Sequence, residues 1–127
     1  MTKVSEIMNK AVVIDGGISL QEAAKIMSSK GISSLIITEE DKINGIITDT
    51  DVLRNVSNLK EKVGKIMSTK VISISQEESV ENDVKLIIKN KIKRLPVLDG
   101  EKLVGAINLT DILTHVDGDE DGEFLVE

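Results

Sequence analysis

The sequence predicts a mixed α/β (α+β) protein built from two tandem β-α-β-β-α repeats packed as a pseudo-twofold pair. Three observations support this. The chain has 127 residues, enough for one domain or for two small units sharing a core. It repeats itself: Val4-x-x-Ile7-Met8 returns as Val63-x-x-Ile66-Met67 at an offset of 59 residues. From Ser19 onward the offset is 60, with Ser19/Ser79, Ile32/Ile92, Leu35/Leu95, Gly45/Gly105, Thr50/Thr110 and Asp51/Asp111 identical. Within each copy, short β-branched runs alternate with apolar residues at helical spacing. The repeats are placed at 1–60 and 61–116, with an acidic, disordered tail at 117–127.

The elements follow in order. Val12-Val13-Ile14 and Val71-Ile72 read as short strands, the first bounded by Gly16-Gly17. Ser19-x-x-Glu22 is a capping box, and Leu20, Ala23, Ala24 and Met27 fall on one helical face. In copy two Ser79 caps, and Val80, Val84 and Ile87 repeat the stripe. Gly31 suits a left-handed helix end, with Asn90-Lys91 in its place in copy two. Leu35-Ile36-Ile37 and Leu95-Pro96-Val97-Leu98 are strands, followed by turns at Glu39–Lys42 and Asp99-Gly100 and by strands at Ile43–Ile47 and Leu103–Ile107. A last helix begins near Thr50 or Thr110, with Val52, Leu53, Val56 and Ile112, Leu113, Val116 on its inner side. Residues 54–62 are polar enough to link the copies. A unit of about 55 residues is near the lower limit for an independent core, so the copies should pack sheet to sheet. That arrangement leaves two symmetry-related clefts, each lined by both copies, and such clefts commonly take small ligands.

Composition narrows the function. The chain is 40% apolar and 30% charged, with 16 Lys and Arg against 22 Asp and Glu, a net charge of −6 and a pI near 4.9. Such acidity disfavours nucleic acid as a partner. There is no cysteine and one histidine, His115, which argues against zinc, disulfides and a thiol nucleophile. Phe124 is the single aromatic residue, so the core and any pocket wall are aliphatic. No apolar run approaches a membrane span and the first residues do not read as a signal peptide, so a soluble, cytoplasmic protein without membrane contact is expected.

The chemistry concentrates where the third strand of each copy meets the last helix, at Gly45-Ile-Ile-Thr48-Asp49-Thr50-Asp51 and Gly105-Ala-Ile-Asn108-Leu-Thr110-Asp111. A Gly permits close approach, a helix N-terminus offers free N–H groups, hydroxyls donate and a carboxylate accepts. N–H groups and hydroxyls suit a phosphate, and a carboxylate suits the paired hydroxyls of a ribose. Thr48-x-x-Asp51 is equally a capping box that merely starts a helix. Asp117-Gly-Asp119-Glu-Asp121-Gly122 matches the opening of a calcium loop, but its twelfth position would fall beyond Glu127, which favours a disordered tail and no metal site.

The whole pattern resembles a tandem pair of cystathionine β-synthase (CBS) domains, from about Val4 to Val116. It rests on Val-x-x-Ile-Met, the capped Leu-x-x-Ala-Ala-x-x-Met helix, Leu-Pro-Val-Leu-Asp-Gly, and Gly-Ile-Ile-Thr-Asp-Thr-Asp. The resemblance implies frequent homodimerisation and adenosine-containing ligands, AMP, ADP, ATP or S-adenosylmethionine, in the clefts between repeats. The family's ribose-binding aspartate falls at Asp51 and Asp111, and its hydroxyl residues at Thr48, Thr50 and Thr110. Asn108 stands where a Ser or Thr is usual, a departure that bears on phosphate binding there. With the base against strands of the opposite repeat, the resemblance groups Thr48, Thr50 and Asp51 with Ile72, Ser73, Ile74, Ile92, Lys93 and Arg94. It groups Asn108, Thr110 and Asp111 with Val13, Ile14, Ile32, Ser33 and Ser34. Lys93-Arg94 stands where members related to the regulatory subunit of AMP-activated protein kinase carry basic phosphate ligands, so the Asp51/Arg94 cleft is expected to prefer a phosphorylated nucleotide. The alternative for Lys93-Arg94 is a solvated strand end.

The expectation is therefore a regulatory, energy-sensing module that binds an adenine nucleotide as a regulatory ligand, not as a catalytic cofactor. Dimer shape would carry its state to a regulated protein. A ligand-free interaction scaffold and an S-adenosylmethionine-binding module are the alternatives. A nucleotide hydrolase is not expected, because the sequence offers no Gly-x-x-x-x-Gly-Lys loop, Cys nucleophile or compact metal cluster.

Overall fold

The structure is a computed structural model and describes residues 2–89 and 94–117. Its described elements are α1 (Val4–Ile7), β1 (Val13–Ile14), α2 (Leu20–Lys30), β2 (Ser34–Glu39), β3 (Lys42–Thr48), α3 (Asp49–Arg54), α4 (Val63–Ile66), β4 (Ile74–Ser75), α5 (Val80–Lys89), β5 (Arg94–Asp99), β6 (Lys102–Asn108) and α6 (Leu109–Asp117). They form two compact units. One is Val12–Val71; the other joins the N-terminal residues up to Ala11 to those from Ile72 onward.

In the Val12–Val71 unit, three strands lie in the order β1-β2-β3, β1 parallel to β2 and β2 antiparallel to β3. Helix α2 makes the crossover that a parallel pair requires. It starts where Ser19 and Glu22 close a reciprocal capping box, each side chain accepting the other's backbone N–H at 3.1 Å. It stops at Gly31, whose φ of 66° is left-handed, a conformation that favours glycine. Leu20, Ala23 and Met27 are buried against Leu35, Ile37, Ile47 and Val63. Alternation along β2 turns Leu35 and Ile37 to this core, yet Ser34 and Ile36 on the other face are buried too. The β2–β3 hairpin turns through Glu40 and Asp41, both at positive φ.

The second unit repeats this plan. Strands β4-β5-β6 have the same order and senses, and Gly100, at φ 65°, serves the hairpin expected at Asp99-Gly100. Val4, Ile74, Val80, Leu95, Val97, Ile107 and Ile112 form its core. One strand differs from expectation. Ile74–Ser75, not Val71-Ile72, pairs with β5, because Ile74 is the residue buried in the core while Ile72 is 39% exposed.

Each unit is completed by a segment that sequence order assigns to the other repeat. Val63 and Gly64 donate their N–H groups to the carbonyls of Ile18 and Gly16, and Ser68 and Ile46 exchange two backbone bonds of 2.9 Å. Likewise Val4 N donates to Glu78 O, Val80 N to Thr2 O, and Asn9 and Ala106 exchange bonds of 2.7 and 2.8 Å. These approaches need glycine. A Cβ on Gly45 would lie 2.5 Å from Met67 Sδ and 2.8 Å from Ser68 O; one on Gly105 would lie 2.7 Å from Met8 Sδ and 2.9 Å from Asn9 O. The close approach that the sequence suggested for a ligand is thus occupied by the protein itself.

Residues 54–62 are docked rather than free. They contain a 3-10 turn at Val56–Asn58, Leu59 packs against the core, and the carbonyls of Leu59 and Glu61 accept from Gln21 N and Leu20 N. Helix α3 is only six residues long, so helical periodicity does not extend to Val56. Leu53 and Val56 are 70% and 61% exposed instead of facing inward. Asp117 ends α6; the remainder of the expected tail, with the calcium-loop match, lies outside the described residues. Among the described residues no helix is long and apolar enough to cross a membrane. Gly45→Ala is expected to cost about 1–3 kcal/mol by overpacking against backbone as well as Met67, measured as a lower urea midpoint with an unchanged slope.

Candidate functional site

The first corner forms where β3 ends in Thr48. Thr48 has extended backbone and caps α3: its Oγ1 accepts from Asp51 N at 3.2 Å, while its own N–H and Oγ1–H donate to Asp51 Oδ2 at 2.9 and 3.0 Å. The capping reading is therefore satisfied in full. Asp49 N donates to Ser33 O at 2.9 Å, and Thr50 N to Asp49 Oδ1 at 2.8 Å. The first three N–H groups of α3 all have protein partners, so they are not the free phosphate donors that the sequence suggested. What the corner offers is the half-buried Asp51 carboxylate, whose bonds to Thr48 run through Oδ2, and the exposed Thr50.

The second corner, at the end of β6, is wired differently. Asn108 Oδ1 accepts from Asp111 N at 2.7 Å. Asp111 Oδ2 accepts instead from Asn9 Nδ2, at 2.6 Å. Asp111 is half-buried and Thr110 exposed. Asn9 was missed by sequence reasoning. The available signal was its replacement by Ser68 at the equivalent place after the repeated Ile-Met.

Strand register gives each corner a neighbour within its own unit. Ser34 pairs with Thr48, and Arg94 with Asn108. Ser33 and Ser34 thus lie beside the Thr48–Asp51 corner, and the half-buried Arg94 beside Asn108–Asp111. The Ser34 hydroxyl is the one buried side-chain polar atom among the described residues without a hydrogen-bond partner. Val13 and Ile14 form β1, and Ile74 opens β4 after Ile72 and Ser73. Ile32 follows α2 and lines an apolar groove of about 410 Å³ with Met27, Val52 and Leu53. Ile92 and Lys93 lie outside the described residues. Among the described residues no group of three or more His, Asp or Glu side chains is placed to hold a metal.

The CBS domain family model matches residues 4–58 and again 63–118. The chain belongs to the CBS domain family. It is a tandem CBS pair, and its relatives fit that assignment. Protein MJ1232 of Methanocaldococcus jannaschii is 35% identical over 118 residues, covering 91% of this chain; the chain spans 40% of that protein's length. Inosine-5'-monophosphate dehydrogenase of the same organism is 33% identical over 114 residues, and the chain spans 23% of it. Among solved structures, the CBS domain pair of protein MJ0100 in complex with 5′-methylthioadenosine and S-adenosyl-L-methionine superposes with a TM-score of 0.85 at 31% identity, covering 94% of this chain and 99% of that one.

Thr48→Val removes both the cap acceptor and the hydroxyl donor to Asp51, leaving the backbone N–H bond. Thermal denaturation is expected to show a loss of about 1 kcal/mol, with Thr48→Ser close to the wild type.

Proposed function

We propose that this CBS pair is a regulatory module that binds an adenosine-containing ligand and passes the bound state to a partner protein. AMP, ADP and ATP are the first candidates, as for an energy sensor, and S-adenosylmethionine is the alternative. The observation that carries this reading is a corner built twice on one plan. In each, a half-buried aspartate follows a β-strand and has a side-chain donor fixing one oxygen. A carboxylate is acceptor-only and can take more than one donor, which matches the neighbouring hydroxyls of a ribose. The likeness to a CBS pair solved with two adenosine derivatives supports the same ligand class.

In this reading Asp51 and Asp111 take the ribose, and Thr50 and Thr110 supply hydroxyls. The base rests on aliphatic surface such as Val13 and Ile72, 46% and 39% exposed. The phosphate preference is assigned to the Asn108–Asp111 corner, in place of the Asp51 corner expected from the resemblance. Arg94 is the sheet neighbour of Asn108, and Leu109 stands there where the first corner carries the further carboxylate of Asp49. Charge-assisted bonds from a guanidinium to phosphate are roughly twice as strong as neutral ones. The module binds and does not turn over its ligand. It works in the cytoplasm as a homodimer, to which the exposed Leu53 and Val56 offer apolar surface, without nucleic acid or membrane as partners.

Titration with AMP, ADP, ATP and S-adenosylmethionine tests this. A ligand at 100 times its dissociation constant raises stability by about 2.7 kcal/mol, a shift of several degrees. Absence of a shift with all four favours the scaffold reading, for which the closed capping box at Thr48 and Asp51 is the supporting observation. Arg94→Ala is expected to weaken AMP binding by about tenfold and adenosine much less, read by calorimetry. Equal losses for both ligands count against a phosphate contact.

A further inference from the structure

The two corners solve one problem by different means. In the first, Asp51 Oδ2 receives a local donor, Thr48 Oγ1, three residues back in the chain. In the second, Asn108 occupies that position. It still caps, its Oδ1 accepting from Asp111 N, but it has no hydroxyl to donate to the carboxylate. The missing donor arrives from far away in sequence. Asn9 Nδ2 donates to Asp111 Oδ2 at 2.6 Å, a hydrogen bond from a side-chain amide to a carboxylate.

Asn9 is held for this task by its backbone. It exchanges hydrogen bonds of 2.7 and 2.8 Å with Ala106, five residues before Asp111, and Gly105 leaves the room its carbonyl needs. The equivalent residue in the first unit is Ser68. It makes the same backbone exchange with Ile46, but its Oγ accepts from Lys70 N instead of serving Asp51. An amide donor thus stands beside the corner that lacks a hydroxyl donor, and a serine beside the corner that has one.

We propose that Asn9 is a positioning residue for the second ligand corner: its side-chain amide replaces the missing threonine donor and holds Asp111 with Oδ1 presented to the ribose of an adenosine ligand. The inference rests on the ligand reading above and adds to it a residue outside the repeated motif. Asn9 takes Oδ2 of Asp111, and Oδ1, which has no hydrogen-bond partner among the described residues, is left for ligand hydroxyls. Without Asn9 the carboxylate loses its fixed orientation, and ordering it again opposes binding.

The experiment is a double-variant cycle read by NMR, with AMP as the probe and the backbone amides of Asn108–Asp111 and Thr48–Asp51 as separate reporters. Asn9→Ser, which copies the first unit, is expected to weaken AMP about tenfold at the Asn108–Asp111 reporters and leave the Thr48–Asp51 reporters unchanged. Adding Asn108→Thr restores a local hydroxyl donor and is expected to recover most of that loss. A merely structural role for Asn9 would not be rescued in this way. In the absence of ligand, the Asn9 side-chain amide protons are expected to move upfield in Asp111→Ala. Unchanged affinity in Asn9→Ser, failure of Asn108→Thr to rescue, or unmoved amide protons in Asp111→Ala each overturns the role of Asn9 while leaving the ligand reading intact. Silence of both reporter sets in the wild type toward AMP, ADP, ATP and S-adenosylmethionine overturns the ligand reading, and the role of Asn9 with it.

Discussion

Two absent side chains govern this molecule. At Gly45 and Gly105 the strand backbone accepts another stretch of chain at a distance no Cβ would allow. Across that contact Ser68 bonds Ile46, and Asn9 bonds Ala106. Those bridges dock the short helices α4 and α1, which bring Val63 and Val4, both fully buried, into the two cores. Small units have little apolar area to spare. Losing the docked segment would remove a core residue and open a strand edge together.

The same contact ties fold to site. β3 and β6 each carry the glycine in mid-strand and the aspartate-bearing corner at the end, so the segment that docks on the strand also lies near the corner. In the second unit this proximity becomes a bond, Asn9 to Asp111. In the first unit the corner is self-sufficient, because Thr48 provides both cap and donor. Duplication has kept the architecture and let the chemistry diverge in the details of donors and charges. Asp49 against Leu109 and Ser34 against Arg94 are the clearest cases.

Much of this was legible in the amino acids. Ser19 with Glu22, Gly31, Asp99-Gly100 and the stripe from Leu20 to Met27 are local signals whose physics is complete within a single turn or a single helix, and each is found where the pattern put it. Non-local choices were not legible. Val71-Ile72 has the composition of a strand, but the sheet selects Ile74, whose side chain reaches the core. Leu53 and Val56 extend an apolar pattern beyond the point where α3 stops. The exchange of opening segments is hidden by the repeat itself, since Val-x-x-Ile-Met has the same apolar spacing at both places. The glycines drew attention to the corner for a sound reason, close approach, but Met67 and Met8 fill the space. Asn9 lies too far in sequence from Asp111 for any spacing rule to join them.

The exchange makes the two units unequal in wiring. One is a single uninterrupted stretch, Val12–Val71, whose core closes on residues near one another in the chain. The other is bipartite: Val4, Ile7 and Met8 must meet Ile74, Val80 and Leu95 across the whole of that intervening stretch. Its closure therefore carries the larger loop entropy. The contiguous unit is free to fold first, and once compact it shortens the span over which the strays must search.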